Sequence, residues 1–145
     1  MSISVQQLLN KKGTDIHSIS PDATVYDAIK LMSELGVGSL LVMENNRLVG
    51  IISERDYTRK VILKDRSSKS TAVQDIMTGK VICLSPENNI DECMAIMNEN
   101  SIRHLPIIED SEVIGVVSIM DVIRNILTEK EFLIEQLEHY IAGNT

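Results

Sequence analysis

The sequence predicts a mixed α/β (α+β) protein built from two copies of one β-α-β-β-α unit, related by a pseudo-two-fold axis and followed by a C-terminal helix. Three observations predict it. Residues 20–59 align on residues 85–124 at a constant offset of 65 without a gap, and ten of the 40 aligned positions are identical. Hydrophobic periodicity switches between strand-like runs and helix-like stripes in the same order in both stretches. The composition, 43% hydrophobic and 24% charged over 145 residues, is that of a folded chain long enough to bury a core without a metal or disulfide. Two copies are too few for a solenoid, so they are expected to pack on each other and leave related clefts between them.

Each copy reads the same way along the chain. Ile16–Ile19 and Val81–Leu84 are short strands stopped by Ser-Pro, at Ser20-Pro21 and Ser85-Pro86. Thr24-x-x-Asp27 and Asn89-x-x-Glu92 resemble capping boxes, which satisfy the orphan N–H groups of a helix start. The helices that follow carry one apolar face each: Val25, Ala28, Ile29, Met32 and Leu35, then Ile90, Cys93, Met94 and Met97. These sulfur side chains read as core filling. Leu40–Met43 and Leu48–Ile52 flank the polar turn Glu44–Arg47, and Leu105–Ile108 and Val113–Val117 flank Glu109–Glu112, so each pair is a hairpin. Ser53 and Ser118 then open a closing helix. Residues 5–64 and 73–127 are the two repeats, residues 65–72 the polar linker, and residues 128–142 the C-terminal helix. Upstream, Val5–Leu9 realigns with Val73–Met77 after a three-residue change in length.

Charge and targeting signals narrow the function classes. The formal charge is −7, which repels phosphate backbones and makes general nucleic-acid binding a poor expectation. Between Arg55 and Lys69, however, six basic residues face Asp56 and Asp65, a local balance of +4 that reads either as a solvated helix face or as a phosphate-attracting rim. The two cysteines, Cys83 and Cys93, have no metal-ligand spacing and fit reduced thiols. No basic region precedes an apolar core at the N-terminus and no apolar run approaches a membrane span, so a cytoplasmic protein without membrane association is expected.

The segments Gly50-Ile51-Ile52-Ser53-Glu54-Arg55-Asp56 and Gly115-Val116-Val117-Ser118-Ile119-Met120-Asp121 stand at corresponding points of the duplication. With them the chain resembles a tandem pair of CBS domains, named after cystathionine β-synthase, over about Val5 to Ile126. The resemblance implies a Bateman module: two repeats packed through their sheets, with an adenosine-containing ligand in the clefts between them. It implies ribose-binding roles for Asp121 and Asp56, with Ser118 and Ser53 near the ribose and phosphate. A carboxylate can accept hydrogen bonds from both ribose hydroxyls, and the adjoining helix N-terminus can offer N–H groups to phosphate. The same Ser-x-x-Asp spacing is also that of a capping box, so helix initiation alone accounts for it equally.

The repeats differ at the first hairpin strand, where Arg103-His104-Leu105-Pro106 stands against Gly38-Ser39-Leu40-Leu41. The resemblance implies phosphate contacts for Arg103 and His104, Arg because its planar guanidinium binds phosphate bidentately. His104 reads alternatively as a packing residue. It further implies an adenine wall of Ala28, Val37 and Gly38 for the Asp121 cleft, and a wall of Cys93, Ile102 and Arg103 for the Asp56 cleft. The Asp121 cleft is therefore expected to be the better nucleotide site. AMP, ADP or ATP is the expected ligand class, with S-adenosylmethionine or NAD as related candidates, and magnesium only alongside a polyphosphate.

Phe132, Leu133, Leu137, Tyr140 and Ile141 form a helical stripe ending at Gly143, and this face must pack on its own module or on a second chain. The resemblance implies a homodimer, and His139 reads as an exposed helix residue. No P-loop, nucleophile triad or paired metal-binding histidines appear, which counts against an enzyme, and the resemblance implies a regulatory sensor. The alternative is a ligand-free interaction module that associates with an unknown protein partner.

Overall fold

A computed structural model of the chain describes residues 3–142. Its elements are α1 (Val5–Lys12), β1 (Ser18–Ile19), α2 (Val25–Leu35), β2 (Ser39–Glu44), β3 (Arg47–Ser53), α3 (Glu54–Lys60), α4 (Ile90–Asn100), β4 (His104–Glu109), β5 (Glu112–Ser118) and α5 (Ile119–Ile141). Single 3₁₀ turns lie at Ile62–Lys64 and Val73–Asp75. The expected order recurs in both repeats, with one helix, α1, that the duplication alone does not assign.

Both hairpins close through two residues at positive φ, Asn45 and Asn46 in one and Asp110 and Ser111 in the other. That is the backbone of a type I′ turn, whose twist matches the strands it joins and which Asn and Asp tolerate best among residues bearing a Cβ. The ladders β2–β3 and β4–β5 share their register and even their irregularity, between Val42 and Met43 and between Ile107 and Ile108. The caps form as read: Thr24 accepts from the Asp27 amide, and Asn89 and Glu92 bond reciprocally.

The leading strands are shorter than expected. In the first repeat β1 keeps two residues, paired parallel to Leu41 and Val42. In the second, the expected strand Val81–Leu84 reduces to one bridge, Leu84 to Ile107. The reason is chemical. The Leu41 amide donates to the His17 carbonyl at 3.0 Å, but its counterpart is Pro106, which has no N–H to give Ile82.

Two apolar cores result, and each borrows from the other half of the chain. Val25, Ala28, Met32, Leu40, Val42 and Ile52 pack with Val73 and Ile76, which follow the linker. Ile90, Cys93, Met97, Leu105, Ile107, Val117 and Val122 pack with Val5, Leu8 and Leu9 of α1. The backbone bonds repeat this exchange: the Val5 amide donates to Asn88 at 2.7 Å, while the Val73 amide donates to Ala23 at 2.8 Å. Each fully buried aliphatic side chain contributes about 1.5–3 kcal/mol, so α1 ties the first residues of the chain firmly to the second repeat. The motif glycines allow the approach. A Cβ on Gly115 would lie 2.8 Å from Leu9 Cδ2, and one on Gly50 would lie 2.9 Å from the Thr78 carbonyl oxygen.

The closing helix of the second repeat and the C-terminal helix are one continuous element. Beyond residue 128 α5 does not fold back on its own module: Phe132, Leu133, Leu137, Tyr140 and Ile141 stay exposed, the last by 82%. Gly143, expected to end it, lies outside the described residues. Among the described residues no helix is long and apolar enough to cross a membrane.

Candidate functional site

The two Ser-x-x-Asp segments do form capping boxes. The Ser53 hydroxyl accepts from the Asp56 amide while an Asp56 carboxylate oxygen accepts from the Ser53 amide at 3.0 Å; Ser118 and Asp121 repeat this, the latter bond at 2.8 Å. Capping and ligand contact are compatible, because each carboxylate keeps a second oxygen. The Gly38 carbonyl accepts from the Glu54 amide at 3.1 Å, and the Arg103 carbonyl accepts from the Ile119 amide at 2.8 Å. The first and third amides of α3 and α5 are therefore engaged.

A cleft of about 560 Å³ opens at Asp56. Ser53, Asp56, Arg103, His104 and Gly38 all line it, joined by Ile102 and by the inter-repeat residues Thr78 to Ile82. Five fixed cations, Arg55, Arg59, Lys60, Lys80 and Arg103, line it against Glu54 and Asp56. Within a chain of charge −7 this is a local cationic patch, and the basic stretch after Arg55 supplies part of its wall. Lys60 holds Asp56 from one turn further along α3, 3.0 Å away, and also donates to the Ile76 carbonyl at 2.9 Å. Burial pulls the His104 pKa below its ordinary value, opposed by the Asp121 charge and assisted by Lys12 and Arg103, so the ring is neutral near pH 7.

Asp121 has a different environment. Its side chain is 8% exposed, and Lys12 Nζ, from α1, lies 2.7 Å from Oδ2 and donates to the Val116 carbonyl at 2.6 Å. Arg124 stands 3.5 Å from Oδ1. Burial by itself would raise the carboxyl pKa; the Lys12 and Ser118 hydrogen bonds outweigh it and hold the group below the usual carboxylate range. Neither Asp121 nor Ser118 lines the Asp56 cleft or the groove beside it.

The adenine wall expected for Asp121 is not assembled as read. Ala28 has no exposed surface and sits in the first core, because its face of α2 covers the sheet. Val37 packs against the same core, and Gly38 lines the Asp56 cleft instead. Cys93 is also fully buried, with its thiol pushed up to about 11 by burial and by Glu92. Of the residues expected around the two motif carboxylates, Gly38, Arg103 and His104 line the cleft at Asp56. Lys60 belongs to the basic stretch already noted between Arg55 and Lys69, whereas Lys80 and Lys12 escaped the sequence reading. Lys12 and Lys80 do share a signal, since they correspond at the offset 80 − 12 = 68 that also aligns Val5 with Val73.

Duplicated helix–hairpin–helix units, exchanged leading segments and a cleft beside a capped Ser-x-x-Asp motif define a tandem pair of repeats. The chain belongs to the CBS-domain family, whose family model matches residues 6–62 and 73–128. It is 42% identical to "CBS domain-containing protein CBSX3, mitochondrial" of Arabidopsis thaliana, across 98% of this chain and 73% of that protein. Its structure is similar to that of a CBS-domain protein from Burkholderia ambifaria MC40-6, with a TM-score of 0.85 and 45% identity over 87% of this chain and 95% of that one. The fold also matches the CBS domain pair of protein MJ0100, with a TM-score of 0.79 and 21% identity over 89% of this chain and 99% of that one. That structure is a complex with 5-methylthioadenosine and S-adenosyl-L-methionine.

Proposed function

We propose that the chain is a non-catalytic sensor that takes an adenosine nucleotide into the cleft at Asp56 and passes occupancy on through a homodimer built on α5. The observation that carries this reading is the joining of one motif carboxylate and five cations in a single inter-repeat cleft. Asp56 suits ribose hydroxyls, which donate to a carboxylate. Arg55, Arg59, Lys60, Lys80 and Arg103 suit phosphate oxygens, which accept from ammonium and guanidinium groups. This lining favours AMP, ADP or ATP over S-adenosylmethionine, whose sulfonium adds a positive charge. A magnesium ion would accompany only a polyphosphate. The adenosine ligands of the MJ0100 domain pair support the ligand class, and the uncovered apolar face of α5 supports a dimer.

The test is a thermal-shift panel of AMP, ADP, ATP, NAD and S-adenosylmethionine, with and without magnesium. A ligand at 100 times its Kd adds about 2.7 kcal/mol, which at about 2–4 °C per kcal/mol is a shift of roughly 5–11 °C. The expected result is a shift with a phosphate-bearing nucleotide that Asp56→Ala abolishes and that Asp121→Ala leaves in place. No shift with any of the five, in folded protein, replaces this reading with the ligand-free interaction module, for which the α5 face is the contact surface.

A further inference from the structure

We propose that Lys12 is a built-in occupant of the Asp121 cleft, so that the module has one open nucleotide site, at Asp56, and one latent site that a ligand reaches only by displacing this ammonium. The inference rests on the Asp56 reading and adds a determinant of stoichiometry to it.

The duplication supplies an internal control. Lys12 and Lys80 occupy corresponding positions just after the exchanged segments Val5–Leu9 and Val73–Met77. Lys80 lines the open cleft, where Lys60 of α3 makes the ion pair to Asp56. In the second repeat the position of Lys60 is Asn125, since 60 + 65 = 125, and Asn125 is neutral and buried, with its Oδ1 lacking a hydrogen-bond partner. Asp121 therefore has no lysine at that place on its own helix; Arg124 of α5 stands 3.5 Å from Oδ1, and the closer cation comes from α1, 2.7 Å from Oδ2.

That substitution decides access. Lys60 also bridges its carboxylate and a carbonyl, that of Ile76, but it stands on the wall of an open cleft with its side chain 43% exposed against 30% for Lys12, so it can turn from Asp56 to a phosphate without leaving the site. Lys12 bridges Asp121 Oδ2 and the Val116 carbonyl, while the Ser118 amide claims the same carboxylate oxygen. A ribose that engages both oxygens of Asp121 meets this ammonium at Oδ2 and Arg124 3.5 Å from Oδ1, so a two-oxygen contact requires the ammonium to leave. Helix α1 itself cannot withdraw, because Val5, Leu8 and Leu9 are buried in the second core. Opening is thus a rotation of one side chain, and removal of that side chain's charge is expected to expose the site.

Equilibrium dialysis with radiolabelled AMP and ATP at saturation tests this on the full chain. Wild type is expected to bind one nucleotide per chain, Lys12→Arg one, and Lys12→Gln two, with the second lost in Lys12→Gln/Asp121→Ala. Two per chain in wild type, or no gain in folded Lys12→Gln, overturns the inference. If wild type binds neither probe, the Asp56 reading fails by itself; Lys12→Gln binding one nucleotide through Asp121 would still support the occluding role, and its binding none would end it. Amine acylation read by mass spectrometry gives a ligand-free check. Lys12 should be protected in wild type and react several-fold faster in Asp121→Asn; equal reactivity in both would refute the contact.

Discussion

Replacing Gly115 with alanine tests the exchange of segments between the repeats. The added Cβ would meet Leu9 Cδ2 at 2.8 Å and Cδ1 at 3.1 Å. Leu9 is 1% exposed, so its side chain must re-pack within the core, and the overpacking should cost about 1–3 kcal/mol. Leu9→Ala alone should cost about 2–5 kcal/mol, through lost burial and the cavity left behind. In the double variant the methyl introduced by Gly115→Ala occupies part of that cavity, so the double should be more stable than the sum of the two losses by about 0.5–3 kcal/mol. Urea unfolding followed by far-ultraviolet circular dichroism measures all four proteins, which suits a chain without tryptophan. Simple additivity, or a Gly115→Ala variant within about 0.5 kcal/mol of wild type, the usual scatter of surface changes, would refute the packing of α1 on the second repeat.

Two further outcomes follow from the structure. The Asp121 carboxyl has a folded pKa below its unfolded value of about 3.9, so its stabilisation is fully present above that value and is lost as pH falls through the folded pKa. Lys12→Gln should therefore destabilise the protein by about 1.5–3 kcal/mol at neutral pH, the range for hydrogen bonds to charged groups, and the difference from wild type should shrink on acidification; a pH-independent difference contradicts the ion pair. Leu137→Lys places a charge on the uncovered face of α5, where the side chain is 61% exposed. Sedimentation equilibrium should show the mass falling from dimer to monomer with the thermal midpoint of the monomer intact, and an unchanged dimer would remove α5 from the interface.

Much of the fold was legible because its signals are local. Thr24, Asn89, Ser53 and Ser118 start helices by bonding amides three residues away, and Asn45-Asn46 and Asp110-Ser111 tolerate the positive φ of their turns. The loss of the strand at Val81–Leu84 was legible in principle: Pro106 is visible in the sequence, but its missing N–H matters only once the ladder it interrupts is known. Arg103, His104, Ser53 and Asp56, all readable as site residues, meet in one cleft. Ala28 was misplaced because periodicity gives the apolar face of a helix but not whether that face turns toward a cleft or a core.

By itself the sequence determined the duplication, visible when the chain is aligned on itself at an offset of 65, and the element order and capped Ser-x-x-Asp motifs, since these depend on residues within a few positions of one another. Only the tertiary structure decided that α1 packs on the repeat farther along the chain, that Lys12 reaches Asp121 from 109 positions away (121 − 12 = 109), and that five cations gather with Asp56 in one cleft. The physical reason is that these features are contacts between distant segments. The same apolar stripe or lysine serves either repeat equally well until the packing of two nearly equivalent halves breaks the symmetry.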